Sequence, residues 1–238
     1  MDSRALKDEI RQIAPSFGAD LVGFVDITTQ AGNLTKAGFT AHEQYECAIS
    51  IGIPVINSIA DQIGTTTTAS AAYLYRLFCY DIINNRLNEI AFSIASHLEK
   101  AGFRSFPVPS THLATANRIQ PGLFSHKATA YLAGLGWIGK SCLLVTPQFG
   151  PRLRLTTVLT TAQIGDDPKP MENRCGECTR CLEICPAKAF TGREFAITDP
   201  LEVRMDAAKC DEHLKKKEET VGVRVCGLCV TVCPYGNA

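Results

Sequence analysis

Eight cysteines fall between residues 175 and 233 of this 238-residue chain, and their spacing constrains the fold more than any other feature. The first four, with a proline directly after the last, form a C-x2-C-x2-C-x3-C-P run: Cys175, Cys178, Cys181 and Cys185. This run is typical of bacterial proteins with two [4Fe–4S] clusters, in which three thiolates bind one cluster and the fourth binds the other. The short spacings allow one loop to wrap around a cube-shaped cluster.

A second, partial copy of the motif brings the number of thiols in this region to eight. Cys226, Cys229 and Cys233 repeat the C-x2-C-x3-C-P part, and Cys210 lies sixteen residues before Cys226. The crossing rule assigns one cluster to Cys175, Cys178, Cys181 and Cys233, and the other cluster to Cys185, Cys210, Cys226 and Cys229. A zinc site or disulfides are the alternative for the motif cysteines, although zinc ribbons do not need the x3-C-P crossing. A plain structural thiol is the alternative for Cys210.

The rest of the composition is that of an ordinary globular protein, with 45% hydrophobic and 20% charged residues. No stretch approaches the roughly 18 apolar residues of a membrane span, and the first residues are acidic and amphipathic, unlike a signal peptide. A reducing compartment favours metal binding over disulfides for dense cysteines. We therefore expect a cytoplasmic protein that does not contact a membrane. Three isolated cysteines in apolar stretches are not predicted ligands: Cys47, Cys79 and Cys142.

Charge is balanced overall, with 24 basic and 24 acidic residues. This balance gives no reason to expect nucleic acid as the main partner. The distribution is uneven, because residues 100–165 contain no Asp or Glu but do contain seven Lys or Arg residues. This segment is typical of a solvated cationic face or of a pocket for a small anion.

The chain divides near residue 165, where residues 166–170 are typical of a turn-rich linker. We expect residues 1–165 to form a cofactor- and substrate-binding α+β domain and residues 166–238 to form a ferredoxin-like domain. Hydrophobic spacing predicts helices over 2–14, 69–101 and 125–133, and strands over 21–25, 47–53, 103–108, 143–145 and 153–161. The last two strands are predicted to pair through the turn 146–151. This order predicts an α+β layer fold on a mostly antiparallel or mixed sheet.

Residues 133–140 read AGLGWIGK and are followed by the predicted strand pair and then by the first cysteine run. In this order the chain resembles the epoxyqueuosine reductase family, which is related to reductive dehalogenases. The resemblance continues at residues 17–24 and 100–104 and covers essentially the whole chain, without the C-terminal helical repeats of longer members. It implies a flavin-reductase-like, nitroreductase-related layered domain that binds cobalamin, followed by a dicluster ferredoxin-like domain that supplies electrons.

We call residues 1–165 the front domain. The resemblance also indicates six candidate cofactor contacts in it: Gly136, Trp137, Gly139, Lys140, Leu144 and Leu155. Glycines allow the backbone to approach a large planar ligand closely, and a cationic lining suits a cofactor that carries a phosphate. The alternatives are a core anchor for Trp137, a solvated loop position for Lys140 and plain core positions for the two leucines. A flavin in place of the corrinoid is a further alternative, which rests on fold analogy alone.

The chain departs from the family at the proton donor. The family's reductases carry an Asp after the strand that follows the long helix, whereas residues 106–111 contain no carboxylate here. His126 or His112 would have to serve as the acid, and His126 is preferred because it precedes the helix that leads to AGLGWIGK. A surface or capping position is the alternative for each histidine. We therefore expect neither proficient epoxyqueuosine reduction nor tRNA as a partner.

Together these features predict an iron–sulfur oxidoreductase that passes electrons to a corrinoid and reduces a small or anionic substrate. An electron donor protein of the ferredoxin or flavodoxin type is its expected partner. The alternative is a non-enzymatic electron-transfer or corrinoid-handling protein whose partner performs the chemistry.

Overall fold

A four-stranded antiparallel sheet forms the centre of the front domain. The structure, a computed structural model, describes residues 3–30, 32, 44–65, 68–111, 124–165, 167 and 169–236. Across the sheet the strands are β1 (Leu21–Asp26), β2 (Cys47–Pro54), β6 (Leu153–Thr160) and β3 (Ser105–Val108). The two long central strands, β2 and β6, pair over their full length.

Helices cover both faces of this sheet. One face carries α1 (Ser3–Ser16), α2 (Asn57–Thr65), α3 (Ala69–Arg76) and α4 (Ile83–Lys100), and the other carries α5 (His126–Leu132). The alternation of side chains along β2 matches these two layers. Ile49 and Ile51 pack with the four helices, whereas Ala48, which precedes Ile49, packs in the cluster that contains α5.

The predicted helix over 69–101 is present but is not uniform. It consists of α3, a π-helical segment at Leu77–Ile82, and α4. Thr68 caps its start by accepting a hydrogen bond from the backbone N–H of Ala71 (3.3 Å). Gly102 follows its end with φ of +91°, a conformation that glycine adopts at little cost. Short π-helical segments within helices are frequent at functional sites.

The predicted pairing of strand 143–145 with strand 153–161 is wrong. The structure pairs β5 (Leu144–Val145) with β4 (Trp137–Ile138), a strand that the sequence did not indicate, and places β6 in the main sheet. The reason is that Gly136 brings the backbone of β4 against β5, and a methyl group there would collide with the carbonyl of Val145. The eight-residue register of β6 with β2 also offers far more hydrogen bonds than a short hairpin could.

The C-terminal lobe, residues 169–236, has little apolar core and, apart from one helix of 15 residues, only short helices. Its elements are α6 (Arg180–Ile184), a 3-10 turn (Leu201–Val203), α7 (Ala207–Val221) and α8 (Leu228–Thr231). Within its described residues, the buried hydrophobic side chains are Cys185, Ala189 and Val225. Apolar burial therefore contributes little to the stability of this lobe.

Asp167, which precedes the C-terminal lobe in the chain, is anchored to the front domain. Its carboxylate lies 2.9 Å from Lys7 Nζ and 2.6 Å from Arg11 Nη2, both on α1. It also accepts a hydrogen bond from the backbone N–H of Phe24 on β1 (2.9 Å). In the part of the chain that the structure describes, the helices are too short or too polar to span a membrane.

Candidate functional site

The thiols of the C-terminal lobe lie in two groups. The electrostatic neighbours of Cys181 include Cys175, Cys178 and Cys233, whereas those of Cys210 include Cys185 and Cys226. Cys229 is placed with Cys185, Cys210 and Cys226, because these three thiols raise its pKa more than Cys181 does. We call these sets the first thiol group (Cys175, Cys178, Cys181, Cys233) and the second thiol group (Cys185, Cys210, Cys226, Cys229). The grouping is the one that the crossing rule gives, and the binding of iron by each thiol stays a prediction.

Ionisation of the thiols is disfavoured in both groups. Burial, and to a smaller extent the neighbouring thiols, raise the pKa of Cys181 to about 11 and that of Cys229 to about 12. Among the described residues, no three Cys, His, Asp or Glu side chains lie close enough to hold a single metal ion. The thiolates of a [4Fe–4S] cluster bind different irons and therefore stand farther apart than the ligands of one ion. Four neighbouring but separated thiols fit such a cluster.

The GWIGK segment, Gly136–Lys140, is the part of the front domain that adjoins the first thiol group. A methyl group on Gly139 would lie 3.4 Å from Cys175 Sγ, and the Lys140 ammonium donates to the carbonyl of Gly176 (2.6 Å). Gly136, which lies against Val145, and Gly139 thus permit close contacts within the protein itself. The close approach of their backbone to a corrinoid stays a prediction.

Trp137 is buried behind this segment, at 1% exposure. The edge of its ring meets Tyr235, with 4.8 Å between centroids, and the Arg174 guanidinium lies 5.7 Å from its centre. Leu144 and Leu155 are buried together in a small apolar cluster beneath α5. These positions match the core roles that sequence analysis kept as alternatives. The Trp137 Nε1–H has no acceptor among the described residues. It therefore fits a ligand that offers acceptor oxygens, and a corrinoid has such oxygens in its amides and its phosphate.

His126 holds the end of β3 in place. Its Nε2 lies 2.9 Å from the carbonyl of Pro109, and its Nδ1 lies 2.8 Å from Thr157 Oγ1. A carbonyl can only accept, so Nε2 carries the hydrogen and, in the neutral ring, Nδ1 accepts from the threonine hydroxyl. To act as the acid, His126 would have to release the Pro109 carbonyl. That catalytic role stays a prediction, and His112 lies outside the described residues.

A polar cluster that sequence analysis missed lies where β3 ends. Arg154 places its guanidinium 4.3 Å from the centre of the Tyr80 ring and donates to Asn84 Oδ1 (3.0 Å) and Thr111 Oγ1 (3.1 Å). Asn84 is 3% exposed and also donates to Thr111 Oγ1 (2.7 Å). The sequence offered one sign of this cluster, because Asn84 lies next to the apolar stripe of α4 and a buried amide needs hydrogen-bond partners. The Arg154 cluster, which we define as these four residues, is a candidate anion site.

Tyr75 and Cys79 connect the Arg154 cluster to the second thiol group. Both side chains are buried, and burial raises the pKa of Tyr75 well above 10 and that of Cys79 to about 11. The charge of Arg154 opposes both shifts, and a thiolate at Cys229 adds to the shift of Tyr75. One thiol group thus adjoins the GWIGK segment, and the other reaches the interior of the front domain through α3 and the π-helical segment.

Arg152 attaches α8, the short helix that contains Cys229, to the front domain. It is 3% exposed and donates to Asn57 Oδ1 (3.0 Å) and to the carbonyl of Thr231 (3.4 Å), and it lies 2.7 Å from Asp61 Oδ1. We expect Arg152→Met to lower the free energy of unfolding by about 1–3 kcal/mol, because the hydrogen bonds that this buried guanidinium donates are lost. Urea denaturation of the iron-loaded protein under anaerobic conditions measures this loss.

Asp61→Asn is the control for this prediction. The Asp61 side chain is 55% exposed, so the ion pair is worth only about 0–1 kcal/mol. Equal losses for Arg152→Met and Asp61→Asn would show that the ion pair, and not the attachment of α8, carries the effect.

Comparisons with known proteins match both parts of the chain. A 4Fe-4S double cluster binding domain model matches residues 174–236. Epoxyqueuosine reductase from Bacillus cereus is 32% identical over 126 residues, which cover 49% of this chain and 30% of the relative. The Lactococcus garvieae epoxyqueuosine reductase is 25% identical over 270 residues, covering 98% of this chain and 70% of the relative.

A solved reductive dehalogenase has a similar fold, with a TM-score of 0.68 and 20% identity over 96% of this chain and 31% of that chain. The match to the Bacillus cereus relative spans less than a third of that protein's length. This chain therefore contains a 4Fe-4S double cluster binding domain, and it is similar in sequence to epoxyqueuosine reductases and in fold to a reductive dehalogenase.

Proposed function

We propose that this chain is an iron–sulfur oxidoreductase that delivers single electrons to a corrinoid in the front domain and thereby reduces a small, anionic substrate. The observation that carries the proposal is the placement of the two thiol groups. One adjoins the GWIGK segment at Gly139 and Lys140, and the other reaches Tyr75 in the front domain. The structurally similar reductive dehalogenase is described as acting by B12-dependent dehalogenation, which supports a corrinoid.

The residues of this chain have distinct parts in the proposed activity. The eight motif thiols hold the clusters, which supply single electrons when bound. The Trp137 Nε1–H and the Lys140 ammonium offer donors to the amide and phosphate oxygens of a corrinoid. The C-terminal lobe covers Trp137 with Tyr235 and so keeps water away from its indole ring.

The Arg154 cluster supports an anionic substrate. Arg154 keeps a permanent positive charge at a rigid site, because Asn84, Thr111 and the Tyr80 ring fix its orientation. The segment from residue 100 to residue 165 offers no carboxylate to compete for it. A small carboxylate or phenolate fits this chemistry better than a nucleic acid, so tRNA is not proposed as a partner. A cytoplasmic ferredoxin or flavodoxin is the proposed electron donor.

Corrinoid binding is expected to change the visible spectrum of cobalamin when the iron-loaded protein is added under anaerobic conditions. Lys140→Met should weaken this binding about tenfold, the effect of losing one charge-assisted hydrogen bond. Lys100→Met is the matched control, because Lys100 is an exposed cation at the end of α4 and should leave the affinity unchanged.

The alternatives give different outcomes in the same titration. A spectral change with FMN and none with cobalamin would favour a flavin reductase, and no change with either would favour an electron carrier that serves a partner enzyme. Robust turnover of epoxyqueuosine-containing tRNA by the cobalamin-loaded protein would overturn the proposed substrate class.

A further inference from the structure

The inner face of helix α6 is directed towards thiols of both groups. Cys181, within the helix, belongs to the first thiol group, and Cys185, the residue that follows the helix, belongs to the second. Cys181 and Leu182 are half-buried, and α6 packs against α8, the helix that contains Cys229. This short helix is therefore the layer of protein that separates solvent from the thiols on its inner side.

The outer face of α6 presents an apolar side chain between two cations. Arg180 and Ile184 stand one helical turn apart and so lie on the same face, and both are exposed. Ile184 is 41% exposed, although it is a large apolar side chain. The Lys188 ammonium donates to the carbonyl of Glu183 (3.0 Å), which places this second cation beside Ile184. We call Arg180, Ile184 and Lys188 the α6 surface.

The positive charges of the α6 surface are not neutralised within the part of the chain that the structure describes. No carboxylate oxygen lies within 4 Å of the guanidinium of Arg180 or the ammonium of Lys188 there. Glu183, the acidic residue of α6, accepts a hydrogen bond from the Thr179 hydroxyl instead. An apolar centre with a charged rim is the usual anatomy of a protein–protein interface, and a cationic rim is complementary to an acidic partner.

The front domain meets the first thiol group at another place and leaves α6 exposed. A methyl group on Gly139 would lie 3.4 Å from Cys175 Sγ, and the Lys140 ammonium bonds to the carbonyl of Gly176 (2.6 Å). These contacts cover the loop that begins at Cys175, whereas Arg180 and Ile184 stay exposed. An electron carrier could therefore dock on α6 without displacing the GWIGK segment.

Distance also favours α6 as the point where electrons enter. An α-helix with its side chains is about 10–12 Å across, so a redox group docked on the outer face is separated from the thiols by a single helix. Electron transfer slows steeply as the separation of donor and acceptor grows. A donor on α6 is thus well placed to reduce a cluster held on the inner side.

We propose that the α6 surface is the docking site of a small acidic electron-carrier protein, an inference that rests on the proposed function. Carboxylates of the carrier pair with Arg180 and Lys188, and an apolar side chain of the carrier covers Ile184. In each encounter the reduced carrier loses one electron and one cluster gains it, and no covalent bond forms or breaks. Electrons then leave the C-terminal lobe through the GWIGK segment.

Stopped-flow reduction of the iron-loaded protein by an acidic flavodoxin tests this docking site, because the flavin absorbance reports each electron that the carrier loses. Arg180→Glu is expected to lower the second-order rate constant about tenfold at low ionic strength, since repulsion replaces attraction. Lys188→Glu should act in the same direction. Added salt should slow reduction of the wild-type protein and narrow its difference from Arg180→Glu, because salt screens exposed charges.

Lys209→Glu is the matched control. Lys209 directly precedes Cys210 of the second thiol group, as Arg180 directly precedes Cys181 of the first, and its side chain is 60% exposed. This variant carries the same change of charge away from the α6 surface, so its reduction by flavodoxin should match that of the wild-type protein. Dithionite should fully reduce the clusters of every variant, which shows that the clusters are intact.

Three results would overturn the docking site. They are equal rates for Arg180→Glu, Lys188→Glu and the wild-type protein, a loss in Lys209→Glu as large as that in Arg180→Glu, and wild-type clusters that dithionite reduces but flavodoxin does not. A different result would contradict the proposed function, namely clusters that flavodoxin reduces but that pass no electron to added cobalamin. The two failures are distinct, because the rate of cluster reduction is measured without cobalamin.

Discussion

Replacing Cys210 with serine is expected to lower the iron content of anaerobically prepared protein from about eight to about four atoms per chain, since two four-iron clusters hold eight. The second thiol group keeps only three thiols in this variant. The first group lies apart from Cys210, whose electrostatic neighbours are Cys185 and Cys226. Iron and sulfide analysis together with EPR spectra measure the loss.

Cys47→Ala is the control for this experiment. Cys47 is buried in β2, where it pairs with Thr160 in the main sheet, and its replacement should leave the iron content unchanged. If Cys210→Ser retained both clusters with unchanged spectra, the assignment of Cys210 as a ligand would be incorrect.

Gly150→Ala is expected to displace the segment that follows Cys233. Gly150 has φ of +54°, and a methyl group there would collide with the carbonyl of Tyr235. Left-handed backbone costs a non-glycine residue about 1–2 kcal/mol, and overpacking adds about 1–3 kcal/mol. We expect these two losses in the free energy of unfolding to add, and urea denaturation measures their sum. The iron of the first thiol group should be lost as well, because Cys233 would move with Tyr235.

Gly18→Ala separates the cost of the left-handed backbone from the cost of the collision with Tyr235. Gly18 has φ of +91°, but no atom lies within 4 Å of the position that a methyl group would occupy. This variant should lose only the backbone contribution of about 1–2 kcal/mol and keep its full iron content. Equal effects of the two substitutions would mean that the contact with Tyr235 does not hold the C-terminal segment.

The regular part of the front domain could be predicted from hydrophobic spacing. The run at 47–53 is apolar except for Ser50, because β2 is central and buried on both faces. The stripe of Leu87, Ile90 and Ile94 is likewise fully buried on α4. The pairing of β5 could not be predicted, because two-residue strands carry almost no periodicity. Their partner is chosen by the close approach at Gly136, a tertiary effect.

The candidate site was predictable only where local spacing encodes it. The cysteine motifs are such a case, because short loops determine which thiols come together. The Arg154 cluster is not, since it joins α4, β6 and the end of β3 across 70 residues of sequence. The contact of Arg204 with Cys142 could not be predicted either, because it depends on how the C-terminal lobe packs on the front domain. The domain boundary near residue 165 stays a prediction, and Asp167 forms contacts across it.

The interleaving of the two thiol groups has a consequence for biogenesis. A ribosome releases the chain from its N-terminus, so the first three thiols of one group emerge more than fifty residues before Cys233 completes it. The other group waits from Cys185 until Cys229 has been synthesised. Neither group is complete until almost all of the C-terminal lobe has left the exit tunnel. Neither predicted cluster can therefore be completed before Cys229 has emerged from the ribosome, and a nascent chain stalled before that residue would expose thiols that no finished cluster protects.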